Sequence, residues 1–501
     1  DMSNYFYNLL KIFMINKISN TGFNFDNSYI ELPPEFYSPA NLQPVKSPQL
    51  VILNNELSNS LGLNTDFLKS QEGIYIMSGN IKIPDGAYIS QAYAGHQFGG
   101  FTMLGDGRAL LIGEQITPSN QRFDIQLKGS GRTPYSRNGD GRAVLGPMLR
   151  EYIISEAMHG LNIPTTRSLS VISTGENVYR ETIQQGAILT RVASSHIRFG
   201  TFEYAAYMLD YEKLKKLSDY TIKRHFPFLE NNENKYINLL DEVIKLQASL
   251  VAKWQSVGFI HGVLNTDNMS ICGETIDYGP CAFMDVYNPD TVFSSIDTNG
   301  RYAYKNQIAI VNWNLYRLAE TLLPLINSDE NKAIEIAQNS LSKFINLATS
   351  NLSHEMCSKI GIFEPKTSDI DLLNELLNMM QKYKEDYTNT FIALTFNDLP
   401  QKGMFISEEF INWKKKWEET LTLQNKSKDE VFDLMKNSNP AVIPRNHRVE
   451  EALSAANNRD FSVMNNLLKA LSNPFEHSEF QKEYAKLPST PQCNYRTYCG
   501  T

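Results

Sequence analysis

Asn268 and Asp277 stand nine residues apart, each with a side-chain oxygen that suits a hard divalent cation such as Mg²⁺ or Mn²⁺. Around them the chain reads His261-Gly262-Val263-Leu264-Asn265-Thr266-Asp267-Asn268 and, further on, Asp277-Tyr278-Gly279-Pro280. A cation held on two such oxygens can bridge phosphate groups and offset the charge that develops as one is transferred. Asp267, beside Asn268, offers a carboxylate able to accept the proton of an attacking hydroxyl. Alone, 277–280 would read as an ordinary turn; paired with 261–268, chance is the poorer explanation.

The spacing is that of the catalytic and metal-binding loops of protein kinases, His-Arg-Asp with Asn seven residues after the His, then Asp-Phe-Gly. Asn268 falls seven residues after His261, but Val263 stands where the catalytic Asp belongs. The metal ligands are kept and the usual base is missing. This predicts nucleotide binding with chemistry other than standard phosphoryl transfer.

Such a site needs cations and an element to carry them. In Phe123-Asp124-Ile125-Gln126-Leu127-Lys128 the apolar residues alternate onto one strand face and leave Asp124, Gln126 and Lys128 on the other. A helix follows, with Pro147 in its first turn. Glu151 shares a stripe with Ile154 and Met158, so it points inward, and an inward carboxylate wants a cation. A strand Lys paired with a helix Glu is how kinases position phosphates. Between them, residues 129–142 hold four glycines and three arginines; exposed backbone N–H groups and guanidinium groups both suit anions, although a solvated loop would look the same. The turn Leu104-Gly105-Asp106-Gly107-Arg108 has the same character. Arg191 and Arg198 are two further candidate cations, facing one way if the chain turns helical after Ala193 and otherwise making separate surface ion pairs.

A net charge of −8 and a pI near 5.6 argue against nucleic acid or an anionic membrane as the partner, so any phosphate must meet a local cationic cluster. No apolar run reaches the roughly 20 residues of a membrane span. Residues 1–21 carry Leu9, Leu10, Ile12, Phe13 and Met14 interrupted by Lys11, with neither a cleavage site nor an Arg-rich presequence, so no targeting signal is expected. The five cysteines (272, 281, 357, 493 and 499) form no Cys-x-x-Cys pair, which fits a reducing compartment and offers no thiolate metal site.

The expected architecture is α+β, a two-lobed protein-kinase-like fold. A lead-in (1–85) packs on a strand-rich nucleotide-binding lobe (86–200), with strand-like runs at 105–113, 123–127, 168–173 and 187–193. A helical lobe (201–400) carries the catalytic and metal loops, and a C-terminal helical extension (401–501) ends in a cysteine-bearing tail. Its apolar stripes include Leu239, Leu240, Val243, Leu246 and Leu250.

Together these residues resemble the selenoprotein O family of kinase-fold protein adenylyltransferases. The matching stretches are Ala92-Tyr93-Ala94-Gly95-His96-Gln97-Phe98-Gly99, 104–108, 126–142, 190–200, 261–268, 275–280 and 439–453, in order over about 29–474. The resemblance implies ATP bound in a flipped orientation, AMP transferred to Ser, Thr or Tyr hydroxyls of proteins, and pyrophosphate released. It implies Lys128, Arg191 and Arg198 on phosphates, with Glu151 pairing with Lys128. Gly105, Gly107, Arg108, Asp140 and Gly141 would line the nucleotide site, Asn268 and Asp277 would hold Mg²⁺ (or Mn²⁺), and Asp267 would be the base. Bacterial relatives also use UTP with Mn²⁺, and that choice stays open, as do the protein substrates. The resemblance further implies a monomer in the bacterial cytoplasm, or in mitochondria were the source eukaryotic. Cys499 matches a tail position that some bacterial members tie to a cysteine beyond the metal loop, but Asp290-Thr291-Val292-Phe293-Ser294-Ser295 contains none and Cys281 is the nearest substitute. Two other readings compete: a kinase using Asp267 from a shifted position, and a nucleotide-binding scaffold without turnover.

Overall fold

The computed structural model describes residues 21–490 and 495–498; the lead segment 1–20, Cys493 and Cys499 lie outside the described residues. Ten strands fill the first part of the chain: β1 (Tyr37–Pro39), β2 (Gln49–Leu53), β3 (Ile89–Gln91), β4 (Ala94–Gln97), β5 (Gly100–Met103), β6 (Ala109–Ile116), β7 (Arg122–Lys128), β8 (Ala143–Val144), β9 (Arg167–Tyr179) and β10 (Ile183–Ala193). Eight form one antiparallel sheet in the order β1-β3-β6-β7-β10-β9-β2, with β8 also paired to β10. β1 and β2, both from before residue 86, are the outermost strands on this path. β4 and β5 make a separate hairpin.

Both sheet faces are covered, so β6 is buried along nearly its whole length rather than at alternate positions. On one face Leu110, Ile112, Ile125, Leu127, Ile172 and Ile188 pack against Leu57, Leu68, Ile76 and Met77, from short helices between β2 and β3. On the other, Leu111, Val171 and Leu189 meet the Leu145–Gly160 helix. That helix is buried on most sides, with Leu149, Glu151, Ile153, Ile154 and Met158 each at 1% exposure or less, which forces Glu151 to find a cation inside the protein.

From Phe199 onward the chain is helical apart from the pair β11 (Phe259–Ile260) and β12 (Ala282–Phe283). The order, strand-rich and then helical, is that of a two-lobed protein kinase. The Lys235–Val257 helix buries Leu239, Leu240, Val243 and Leu250 as the stripe predicts. Leu246 departs from it: it is 36% exposed and leans over Gly273, covering a turn instead of entering the core. A second core gathers Tyr387, Phe391, Trp413 and Trp417. Late in the chain the Asn446–Asn457 and Ser462–Leu471 helices return to pack on the Leu145–Gly160 helix. Among the described residues, no helix is long and apolar enough to cross a membrane.

Candidate active site

β7 and β10 run side by side with Gln126 opposite Arg191 and Lys128 opposite Leu189. The register puts Lys128 and Arg191 on the face that meets the Leu145–Gly160 helix, where Lys128 Nζ donates to Glu151 Oε2 at 2.5 Å and Arg191 Nη1 lies 3.5 Å from Glu151 Oε1. Arg191 also donates from Nε and Nη2 to Gln126 Oε1, at 3.1 and 2.6 Å. Gln126 in turn donates to Asp106 Oδ2 at 3.3 Å.

Asp277 enters this group from the opposite lobe. Its backbone is left-handed (φ 62°), a conformation Asp tolerates better than bulkier residues, and this directs the carboxylate back toward the sheet. Arg191 Nη1 donates to its Oδ1 at 2.6 Å, Arg198 Nη1 donates to its Oδ2, and Lys128 Nζ lies 3.8 Å from Oδ1. Burial alone would raise the Asp277 carboxyl, but Arg198, then Arg191 and Lys128, override it and hold it well below the usual carboxylate range. Its side chain keeps 22% exposure, whereas Arg191 and Arg198 have 2% and 3%.

Arg198 is reached differently from the helical path considered above. Arg191 lies within β10, the chain stays non-helical after Ala193, and Arg198 is the N-cap of the Phe199–Met208 helix in an extended conformation. β10 and the helix start thus aim both guanidinium groups at one carboxylate. Arg198 also donates to the Asp267 carbonyl at 2.7 Å and stacks over the Tyr93 ring at 4.6 Å.

Asp267 and Asn268 sit in the 3-10 turn Thr266–Asn268. Asn268 donates its amide N–H to the Val263 carbonyl at 2.9 Å, which fixes the amide plane and leaves the side-chain oxygen as the available donor atom. Burial pushes the Asp267 carboxyl up to about 7, against Arg198 and Gln97, and Asp106 up to about 6, against Arg198 and Arg191. His261 is structural. It is fully buried beside Trp254 and Phe259, and its Nε2 donates to the Ile276 carbonyl at 2.8 Å, tying the two loops together.

These residues line one cleft of about 1030 Å³, at the upper end for small-molecule sites. Lys128, Glu151, Arg191, Arg198, Asp267, Asn268 and Asp277 all face it, with Gly107 and Arg108 at the turn before β6. Gly105, Asp140 and Gly141 stand behind this lining. Gly105 (φ 126°) is pressed on the Tyr135 ring, Gly141 packs on Gly131, and Asp140 holds Arg180, a lining residue, at 2.9 Å. Sequence reasoning missed Asp106 and Gln126 as parts of this network. Gln126 shares a strand face with Lys128, so the alternation that found one could have found the other.

Among the described residues no cluster of three or more His, Cys, Asp or Glu forms a metal cage. The oxygens of Asn268 and Asp277 fit a hard cation completed by phosphate oxygens and water. Cys281 is buried with its thiol pushed up by burial, and Arg150 Nη1 lies 3.6 Å from its Sγ. The described cysteines (272, 281 and 357) are free thiols.

The family model described as protein adenylyltransferase SelO matches residues 20–472. The chain belongs to the SelO family. Curated relatives called protein nucleotidyltransferase YdiU match it end to end. One from Bacillus cytotoxicus is 62% identical over 97% of this chain and 99% of its own length, and one from Clostridium beijerinckii 61% identical over 96% and 99%. SelO membership makes the chain an enzyme of nucleotidyl transfer. Among solved structures it is similar to ROP2 from Toxoplasma gondii, titled a virulence factor with a protein-kinase fold and no enzymatic activity. That match has 8% identity over 67% of this chain and 88% of that one, with a TM-score of 0.23, too low to carry any argument.

Proposed function

We propose that this SelO-family chain transfers AMP from ATP to Ser, Thr or Tyr hydroxyls of proteins and releases pyrophosphate, with UTP as an alternative donor. The observation that carries the reading is the convergence of Lys128, Arg191 and Arg198 on Asp277 in the cleft. A triphosphate is drawn to such a cluster of cations. In the flipped orientation that SelO membership implies, its terminal phosphates lie on the two arginines and the α-phosphorus faces Asp267. Lys128, held by Glu151, orients the phosphates, and Gly107 and Arg108 border the nucleotide. Gly105, Asp140 and Gly141 support that border from behind.

Asn268 and Asp277 would hold Mg²⁺ or Mn²⁺, which when bound offsets phosphate charge and competes with the arginines for Asp277. Asp267 takes the proton of the attacking hydroxyl, the role left empty at Val263. A carboxyl raised by burial to about 7 is a stronger base than a solvated one. The net acidic charge fits protein acceptors rather than nucleic acid, and the chain is read as a cytoplasmic monomer, as expected from its sequence. Asp277→Ala tests the site: metal-dependent transfer to protein is lost while the melting profile stays that of a folded chain. Full activity in that variant would remove Asp277 as the metal ligand.

A further inference from the structure

The hairpin formed by β4 and β5 is separate from the main sheet, yet it grips three successive residues of the loop that carries Asp267. The Phe98 N–H donates to Asn265 Oδ1 at 3.1 Å and the His96 N–H donates to Thr266 Oγ1 at 2.6 Å. Between them, Gln97 Nε2 donates to Asp267 Oδ2 at 3.3 Å. The Thr266 hydroxyl in turn donates a hydrogen bond to Glu203 Oε2 at 2.6 Å, and Glu203 Oε1 closes the triangle on His96 Nδ1. The hairpin is thereby locked to Asp267 and to the two residues before it.

Gly95 completes the fit. A Cβ there would lie 2.7 Å from Asp267 Oδ1 and 2.8 Å from Asp267 Cβ, so the carboxylate occupies the space a side chain would take. Glycine is needed at this position for close approach. Asp267 Oδ1 is buried with no hydrogen-bond partner, and Asp267 also lines the cleft. A buried carboxylate oxygen without a protein partner is costly, so the hairpin contacts that hold it there must offset that cost.

We propose that the β4–β5 hairpin is a positioning element for Asp267, in which Gln97 orients the carboxylate by hydrogen bonding and Gly95 leaves it room. This rests on the reading of Asp267 as the base. In the step it serves, the acceptor's O–H bond breaks and its proton passes to the Asp267 carboxylate. The oxygen bonds to the α-phosphorus, and the bond from that phosphorus to the bridging oxygen breaks, pyrophosphate leaving with the electron pair. Gln97 lines the cleft beside Asp267, and the role assigned to it is exercised through its hydrogen bond to that carboxylate.

The test compares Gln97→Ala and Gly95→Ala with the parent, and repeats Gln97→Ala in an Asp267→Asn background. ATP labelled on the α-phosphate is the donor and dephosphorylated casein the hydroxyl-bearing acceptor, while a fluorescent ATP analogue with Mg²⁺ reads nucleotide affinity. Each single substitution is expected to lower kcat by about 10- to 100-fold, the scale of a misplaced catalytic group, with nucleotide Kd within about twofold. Gln97→Ala should cost nothing further against the residual rate of Asp267→Asn, because both act through one group. Unchanged kcat in Gln97→Ala overturns the inference. So does a loss matched in nucleotide Kd, or one that recurs in full in the Asp267→Asn background. Gln97 is only partly buried at a strand end, so its variant keeps the test decisive if Gly95→Ala does not fold. Should Asp267→Asn itself keep the parent rate, the base assignment falls and takes the positioning role with it; a dead Asp267→Asn beside unaffected hairpin variants overturns the positioning role alone.

Discussion

Removing Glu151 and removing Lys128 should have unequal effects, although the two form one buried pair with side-chain exposures of 2% and 7%. Breaking a buried pair by deleting one partner costs about 3–5 kcal/mol when the other charge is left without compensation. In Glu151→Ala, Lys128 keeps only Asp277, at 3.8 Å, and Asp277 already serves Arg191 and Arg198. Among the described residues, Lys128 and Arg191 then have only the Asp277 carboxylate within 4 Å, Arg198 reaching Asp106 as well at 3.9 Å, and a cost of about 3–5 kcal/mol applies. In Lys128→Met the remaining Glu151 still has Arg191 at 3.5 Å, so the cost should fall to about 1–2 kcal/mol. With an unfolding entropy of about 2.1 cal/mol/K per residue, a chain this long loses roughly 1 °C of Tm per kcal/mol. Thermal melts should therefore show a drop of about 3–5 °C for Glu151→Ala and about 1–2 °C for Lys128→Met, both larger if the strand-rich lobe melts by itself. Activity should rank the other way: Lys128→Met loses about 100-fold in kcat/KM because the phosphate contact is gone, and Glu151→Ala loses less. Equal Tm losses, or a Glu151→Ala protein as stable as the parent, would contradict the unequal compensation of Lys128 and Glu151.

Arg445 is fully buried and bridges Asp285 at 2.7 Å and Asp386 at 2.9 Å, so Arg445→Leu should cost about 3–5 kcal/mol, read as a Tm fall of several degrees with nucleotide affinity kept. Lys359 is buried over the rings of Tyr387 and Phe391 with no carboxylate within 4 Å among the described residues, and burial lowers its ammonium to about 7. Below pH 7 the lysine is charged in both states and the folded protein bears the whole burial cost; between 7 and 10.5 the unfolded chain binds more protons, so raising the pH stabilises the fold. Lys359→Met should accordingly be more stable than the parent at pH 7, by no more than about 4 kcal/mol, with a gap that narrows in melts toward pH 10.

Local patterns made the inner half of the site legible. Alternation in β7 puts Lys128 opposite the apolar face, helical spacing turns Glu151 inward, and the spacing of His261, Asn268 and Asp277 marks two loops whose Asn268 and Asp277 face one cleft. Contacts spanning long stretches of chain were not legible. Gln97 and Asp267 are 170 positions apart, and no period or turn signal in either segment announces the other. Arg198 is legible as a candidate cation but its extended route is not, because an extended approach to a helix N-cap leaves no apolar repeat. Leu246 failed for the converse reason: it fits the helical period but faces a loop that only tertiary structure brings over it. The Ser294–Thr497 bridge, which carries residues 495–498 to the cleft rim, rests on main-chain pairing and left no trace in side-chain pattern.

On the proposed function the phosphate attacked is the α-phosphate, with Asp267 as the base and the terminal phosphates on Arg191 and Arg198. Parallel reactions with ATP labelled on the α- or the γ-phosphate, Mg²⁺ and an acceptor protein test it directly. The predicted result is label from the α-position on protein hydroxyls, with one pyrophosphate released per transfer and no γ-label incorporated. Incorporation of γ-label, or binding of nucleotide with neither label transferred, would contradict it.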